Sequence, residues 1–346
     1  MMARPTVRDI AKTARVSLAT VDRVLNGRAG VRQKTVDKVN KAIEDIGYTR
    51  DIYAANLARQ REYKLVFVLA EGDSRFSGVL AQEVLDSVDR AAIDRVAIEL
   101  IKAPSDDLHK LAKMLNGLIG CGYDGVAVMA PETPVVRDAV KNLVEAGISV
   151  VTLVSDLPDS GRNHFVGINN VAAGRIAGFL MGRFLGQDGG KVVVTTSSMQ
   201  LRDSVERRLG FDALMSEKSP TIVVLPTIEG HNNKDTLTTA ITRIMDIHPD
   251  IKGFYSVGPG VSSLVELLED LGVEKEMVVV AHDLTPKTRA GLKSEAIDAV
   301  IAQNVGHVIR SSIRVLTALS DETPINPELE RIRIDIVLKE NLFNWE

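Results

Sequence analysis

From Lys64 onward the chain alternates short apolar runs with stretches of helical length, and this limits its fold more than any other feature. KLVFVLA (64–70), RVAIELI (95–101), DGVAVMA (124–130) and ISVVTLV (148–154) come first. HFVGI (164–168), KVVVTT (191–196), TIVVLP (221–226), IKGFYSV (251–257) and MVVVAHD (277–283) form a second series. Short runs that are apolar at successive positions suit parallel strands covered on both faces, and the intervals suit crossover helices. The pattern therefore predicts α/β architecture, two doubly wound lobes with a cleft between them. In such sheets ligands sit at the carboxyl ends of the strands, which makes the polar residues just after each run the candidates. They are Glu71, Asp73, Arg75 and Phe76 after the first run, Ser155 and Asp156 after the fourth, His282 and Asp283 after MVVVAHD, and Gln303 after AVIA.

Residues 6–27, TVRDIAKTARVSLATVDRVLNG, follow another period. Val7, Ile10, Ala11 and Ala14 make one helical stripe, and Val21, Val24 and Leu25 make a second that can bury against it. Arg15-Val16-Ser17 interrupts the period, and Ser17 is placed to cap the second helix. That leaves Leu18, Ala19, Asp22, Arg23 and Asn26 facing outward, a surface able to enter a major groove and touch base edges. Residues 34–46 read as a third helix with Val36, Val39, Ile43 and Ile46 inward and Gly47 as its left-handed cap. Residues 1–49 are thus expected to form a small all-α helix-turn-helix headpiece. Residues 50–63, with an Asp51 cap and Ala54, Leu57 and Ala58 on one side, form a linker too short to be a stable helix alone. Residues 64–346 form the body.

Charge divides the same way. The chain carries a net −4, yet residues 1–63 hold 13 Lys/Arg against 7 Asp/Glu, while the remainder holds 29 against 39. A basic headpiece suits a phosphate backbone, and an acidic body is repelled by one. The single Cys121 offers no disulfide framework, which fits a reducing compartment. No basic leader with an apolar run opens the sequence, and no stretch reaches the roughly 18 apolar residues of a membrane span. A cytoplasmic protein without membrane contact is expected. The six histidines are scattered, no Walker pattern occurs, and GPG at 258–260 is not a dinucleotide fingerprint, so neither an enzyme nor a cofactor or metal is expected. A periplasmic solute receptor would share the two lobes but would need a signal peptide and no headpiece.

The segment AKTARVSLATVDRVLNG resembles the N-terminal motif of the LacI/GalR transcription regulators, matching nearly every position of a 20-residue pattern. The resemblance implies a homodimer or higher oligomer on pseudo-palindromic double-stranded operator DNA. Thr6, Ser17, Leu18, Ala19, Thr20, Asp22, Arg23 and Asn26 would face that DNA. Residues 50–60 would be a hinge helix that folds on the operator, with Ala54 and Leu57 at the minor groove and Leu57 as the wedge. Residues 64 to about 340 resemble the family's ligand domain, whose chain crosses between lobes three times. That implies lobe 1 at about 64–163 and 297–322 and lobe 2 at about 164–296 and 323–346. Arg207 aligns with the arginine that holds ligand hydroxyls in sugar-binding members, and Asp283 and Gln303 match their late aspartate and glutamine. With Asp73, Phe76 and Asp156 these make the expected sugar or polyol site, whose occupation releases the operator. A corepressor-type member, binding DNA when liganded, is the alternative. Several positions depart from the family pattern: Arg15 stands for the turn glycine, Asp22 for a serine beside phosphates and Arg50 for a proline before the hinge, and YSVGPG lacks an Asn-Asp pair.

Arg23 lies one turn beyond Ala19 on the outward face, where a bidentate contact to guanine is sterically possible. Arg23→Ala is expected to cost about 1 to 3 kcal/mol at one base position. Binding measured across single-base operator variants checks this, and an equal loss on every variant would refute base reading.

Overall fold

Apolar residues three and four apart in the N-terminal unit bury one face of each of three helices. The computed structural model describes residues 5–25, 29–48, 61–71, 75–104 and 107–345. Two compact units result, Met1–Arg61 and Glu62–Glu346. In the first, α1 (Val7–Ala14), α2 (Leu18–Leu25) and α3 (Gln33–Ile46) close over Ile10, Ala11, Ala14, Val21, Val39 and Ala42. The Thr6 hydroxyl and N–H both donate to the Asp9 carboxylate, at 2.7 and 2.8 Å, which starts α1. Ser17 Oγ accepts from the Thr20 N–H at 3.1 Å, so Ser17 caps α2 as its sequence position suggests. Gly47 ends α3 at φ 61°, with its N–H on the Glu44 carbonyl and the Tyr48 N–H on that of Ile43.

In the second unit every apolar run in the two series contributes a strand. The first sheet runs β2 (Val96–Ala103), β1 (Tyr63–Ala70), β3 (Gly125–Val128), β4 (Ser149–Leu153), β5 (His164–Val166), all parallel. Between its strands lie α4 (Arg75–Ile93), α5 (Leu108–Gly117) and α6 (Pro134–Glu145). The second sheet contains β6 (Gly190–Thr196), β7 (Ile222–Val224), β8 (Ile228–Glu229), β9 (Ile251–Ser256), β10 (Val278–His282), β11 (Ala299–Gln303) and β12 (Ile334–Val337). Its order is β12-β11-β10-β9-β6-β7, with β8 beside β6 and only the β11–β12 pair antiparallel. Around it lie α7 (Asn170–Leu185), α8 (Arg202–Lys218), α9 (Lys234–Ile247), α10 (Val261–Leu271) and α11 (Pro286–Ser294). Strand order reverses at β1/β3 in one sheet and at β6/β9 in the other, and such reversals open the crevice where ligands enter. Among the described residues no helix is long and apolar enough to cross a membrane.

The lobe boundaries differ from those implied by resemblance. Residues 164–166 pair with β4 and stay in the first sheet, so the chain leaves it only after Val166. Residues 299–303 pair with β10 and belong to the second sheet, so the return to the first lobe starts with α12 (Val305–Ser320) rather than at 297. A fully apolar strand carries no mark of which sheet it will join. α12 packs on β3 and β4, where the missing side chain of Gly125 makes room: a Cβ there would lie 2.8 Å from Leu316. Glu330 remains bonded to Arg314 and Ser311 of α12, which carries the first lobe's share of chain beyond the expected 322.

Arg15, the turn residue where the family has glycine, adopts φ 53° and ψ 49°. A side chain there costs of order 1 kcal/mol. Arg15→Gly is expected to stabilise the three-helix unit by up to about 1 kcal/mol. Amide exchange of Ile10 and Val21 in the full chain measures it, and faster exchange would contradict the turn assignment.

Candidate ligand site and nucleic-acid interface

Capping and amphipathicity together decide which residues of α2 face outward. Leu18 is 48 % exposed, and Ala19, Asp22 and Arg23 are exposed beside it. Ser17 and Thr20 share a hydroxyl hydrogen bond of 2.8 Å at the start of the same helix. Thr6 is exposed at the start of α1, and its bonds hold the Asp9 carboxyl below its ordinary value. Asn26, Ala54, Leu57 and Asp73 lie outside the described residues.

In the larger unit the unusual residue is a buried arginine. Arg207, in the second turn of α8, is 1 % exposed. Its Nε donates to Asn170 Oδ1 at 2.9 Å and its Nη1 to the carbonyl of Val257, just past β9, at 2.8 Å. Nη1 also lies 3.5 Å from Asp203 Oδ2 and 3.8 Å from Asp283 Oδ2. Gln303 Nε2 donates to Asp283 Oδ1 at 3.3 Å. A guanidinium taken out of water needs counter-charges and acceptors, and this one has both. The set lies at the β6/β9 reversal, with Asp283 after β10 and Gln303 ending β11.

The cluster has capacity left over. Among the described residues, Arg207 Nη2, Asp203 Oδ1 and Gln303 Oε1 are buried without a hydrogen-bond partner, as is Thr195 Oγ1 on β6. Buried polar atoms are normally paired, so one donor and two acceptors left over in one cluster suit a molecule that supplies both. Burial raises the Asp283 carboxyl above its ordinary value; Arg207 and Gln303 pull it back without cancelling that, and Asp203 adds to the rise. Backbone strain gathers at the same place, with Asp283 at φ 66° and the β-branched Val154, just past β4, at φ 62°.

The structure thus brings Arg207, Asp283 and Gln303 together and adds Asp203 and Asn170, which the strand-end rule did not reach. Asp203 sits in the first turn of a helix, where an acid looks like ordinary dipole compensation. Its spacing of four from Arg207 was the available signal. Asp156 does not join them. Its oxygens accept from Arg162 Nε and Nη2, from Thr152 Oγ1 at 2.8 Å and from the Leu157 N–H at 2.7 Å, so it fastens the loop after β4. Phe76 is buried in the same apolar cluster as Leu80 and Val154. Ser155 Oγ accepts from the Asp203 N–H at 3.4 Å, and His282 Nε2 pairs with the Tyr255 hydroxyl at 2.8 Å. Burial, aided by Arg207, keeps that imidazole's pKa well below its ordinary value.

Comparison with known proteins gives the same division. Residues 6–51 match the family model for bacterial regulatory proteins of the lacI family, and residues 65–324 match that for the periplasmic binding protein domain. Catabolite control protein A of Staphylococcus xylosus is 27 % identical over 157 residues, 45 % of this chain and 46 % of its own, so that match spans less than half of either. The HTH-type transcriptional repressor PurR of Vibrio atlanticus is 22 % identical over 284 residues, 80 % of this chain and 81 % of its own. Among solved structures, a solute-binding protein of an ABC transporter from Burkholderia graminis, in complex with D-arabinose, superposes with a TM-score of 0.74 at 22 % identity, over 82 % of this chain and 98 % of its own. A putative LacI transcriptional regulator from Bacteroides fragilis does so at 0.72 and 18 %, over 83 % and 100 %. Both likenesses establish the two-lobed fold.

The role of Asp156 has a pH signature. Burial alone would raise its carboxyl, but the bonds from Arg162 and Thr152, the Arg162 charge and the Leu157 N–H outweigh it and hold the pKa below its ordinary value. A depressed carboxyl contributes stability that is present above the unfolded aspartate value of about 3.9 and is lost as pH falls through the folded one. Asp156→Asn should therefore lower the melting temperature at neutral pH, with the gap to wild type closing as the pH drops below about 4. A gap independent of pH would contradict this.

Proposed function

This chain belongs to the lacI family of bacterial regulatory proteins, and on that premise we propose that it is a sequence-specific DNA-binding transcription regulator, released from its operator by a neutral sugar or polyol. The observation that carries the ligand half is the buried Arg207 cluster with its unspent donor and acceptors. A hydroxyl donates and accepts at once, so a diol can accept from Nη2 while donating to Asp203 and Gln303. A phosphate ester would face Asp203 and Asp283 at low dielectric with one guanidinium to offset them. Asp203 and Asp283 thus supply the acidic side of the site, and an uncharged ligand suits it.

On the DNA side, the exposed face of α2 supports major-groove entry, with Leu18, Ala19, Asp22 and Arg23 toward the bases and Ser17, Thr20 and Thr6 at the helix starts. Two copies, or a higher even number, place two such helices on a pseudo-palindrome. Asn26, Ala54 and Leu57 complete the DNA-facing set, and Asp73 belongs with the ligand site. Ligand between the lobes favours one lobe arrangement, and that arrangement sets whether paired hinges fold on DNA. The place of action is the cytoplasm, where the operator is.

A thermal-shift panel of monosaccharides, sugar alcohols and their phosphates tests the ligand, followed by operator binding with and without the sugar that binds. A ligand at a hundred times its Kd adds about 2.7 kcal/mol to stability. The expected result is stabilisation by a neutral compound, lost in Asp283→Ala, with weaker operator binding when it is present. Stabilisation by phosphates alone, or a shift undiminished in Asp283→Ala, would remove the site assignment. Operator binding strengthened by the sugar would replace release with corepression.

A further inference from the structure

Two buried hydrogen bonds lead from the ligand-facing guanidinium out of the second lobe and into the first. Arg207 Nε donates to Asn170 Oδ1 at 2.9 Å, and Asn170 Nδ2 donates to the Val154 carbonyl, at the end of β4, at 3.2 Å. Asn170 opens α7 and is 2 % exposed. Capping does not explain it, because its neighbour Asn169 already caps α7 by accepting from the Ala172 N–H at 2.9 Å. The acceptor end is special too. Val154 keeps φ 62° while its N–H donates to the Val166 carbonyl of β5 at 3.0 Å. A β-branched residue in that conformation stores strain, and the surroundings must over-determine it. Its carbonyl accepts from the Asn170 amide of the second lobe.

The chemistry singles out an amide. One end must accept from a guanidinium N–H and the other must donate to a carbonyl. An aspartate keeps the first function and loses the second; an alanine loses both. We propose that Asn170 is a positioning residue that fixes the plane of Arg207 and ties it to the end of β4, so that the state of the site and the relative placement of the lobes move together. The meaning of this tie for effector response rests on the regulator reading above, but the tie itself needs neither DNA nor sugar.

The test is made on the full chain without sugar, in a Cys121→Ser background. Spin labels at Glu145→Cys, ending α6 in the first lobe, and Lys218→Cys, ending α8 in the second, report the interlobe distance. Arginine-selective 15N labelling reports solvent exchange of the Arg207 Nε–H, assigned with Arg207→Lys. Asn170→Asp and Asn170→Ala should both broaden and lengthen the distance distribution. The Nε–H should stay protected in Asn170→Asp but exchange about tenfold faster in Asn170→Ala, as loss of one buried hydrogen bond allows. A merely structural asparagine would not separate the two variants in this way. An unchanged distance distribution in both, or an Nε–H as protected in Asn170→Ala as in wild type, would overturn the proposal. Failure of every sugar to bind would instead count against the effector reading and leave this result standing.

Discussion

The close contact between α7 and α8 decides where the site can be. A Cβ on Gly174 would fall 1.9 Å from the carbonyl oxygen of Arg207, and one on Gly210 would fall 2.0 Å from that of Val171. Either clash is with backbone, which cannot rotate away, so side chains at these positions would push the helices apart. Gly178 and Gly182 continue the row at intervals of four, on the face of α7 that meets Leu214 and Ser219. With the two helices at this spacing, Arg207 is carried below the surface against Asn170, Val257, Asp203 and Asp283. The glycines carry no ligand chemistry, yet they fix the distance on which that chemistry depends.

Burial then sets the electrostatics. A guanidinium removed from water is tolerated because two carboxylates, an amide and a backbone carbonyl surround it, and removal of any one would leave a poorly compensated charge. The same low dielectric raises Asp283 and favours groups that bring hydroxyl protons over groups that bring negative charge. The headpiece works under the opposite condition. Its described charges are exposed, its core is small, and its contribution is to hold α2 with one face outward. The buried Arg207 cluster and the exposed charged surface of the headpiece are kept in separate compact units of one chain.

Much of this was legible in the residues, and the failures have physical causes. Strands covered on both faces must be apolar throughout, which is why KVVVTT and MVVVAHD announce themselves. The stripe Ile10, Ala11, Ala14 and the Ser17 cap announce α1 and α2 just as clearly. Sheet membership is not local, so the placement of β5 and β11 escaped. β12 escaped too, because Ile334–Val337 is only partly buried at a sheet edge and lacks the continuous apolar signal. Asp156 reads ambiguously because an aspartate just past a strand can serve a ligand or its own loop, and its bonds to Arg162 become visible only in the folded chain. Asp203 and Asn170 escaped because helix starts commonly hold acids and asparagines for capping. Asp203 lies one helical turn from Arg207, but the partners of Asn170, at 207 and 154, become neighbours only after folding.

Whether the Arg207 cluster receives the effector is tested most directly by a crystal structure with the sugar or polyol that stabilises the protein most. Ligand hydroxyls are expected within hydrogen-bond distance of Arg207 Nη2, Asp203 Oδ1 and Gln303 Oε1, three of the buried atoms that have no partner among the described residues. Ligand density elsewhere, for example in the groove lined by Arg208, Asp212 and Ile222, with those three atoms still unpaired, would contradict it.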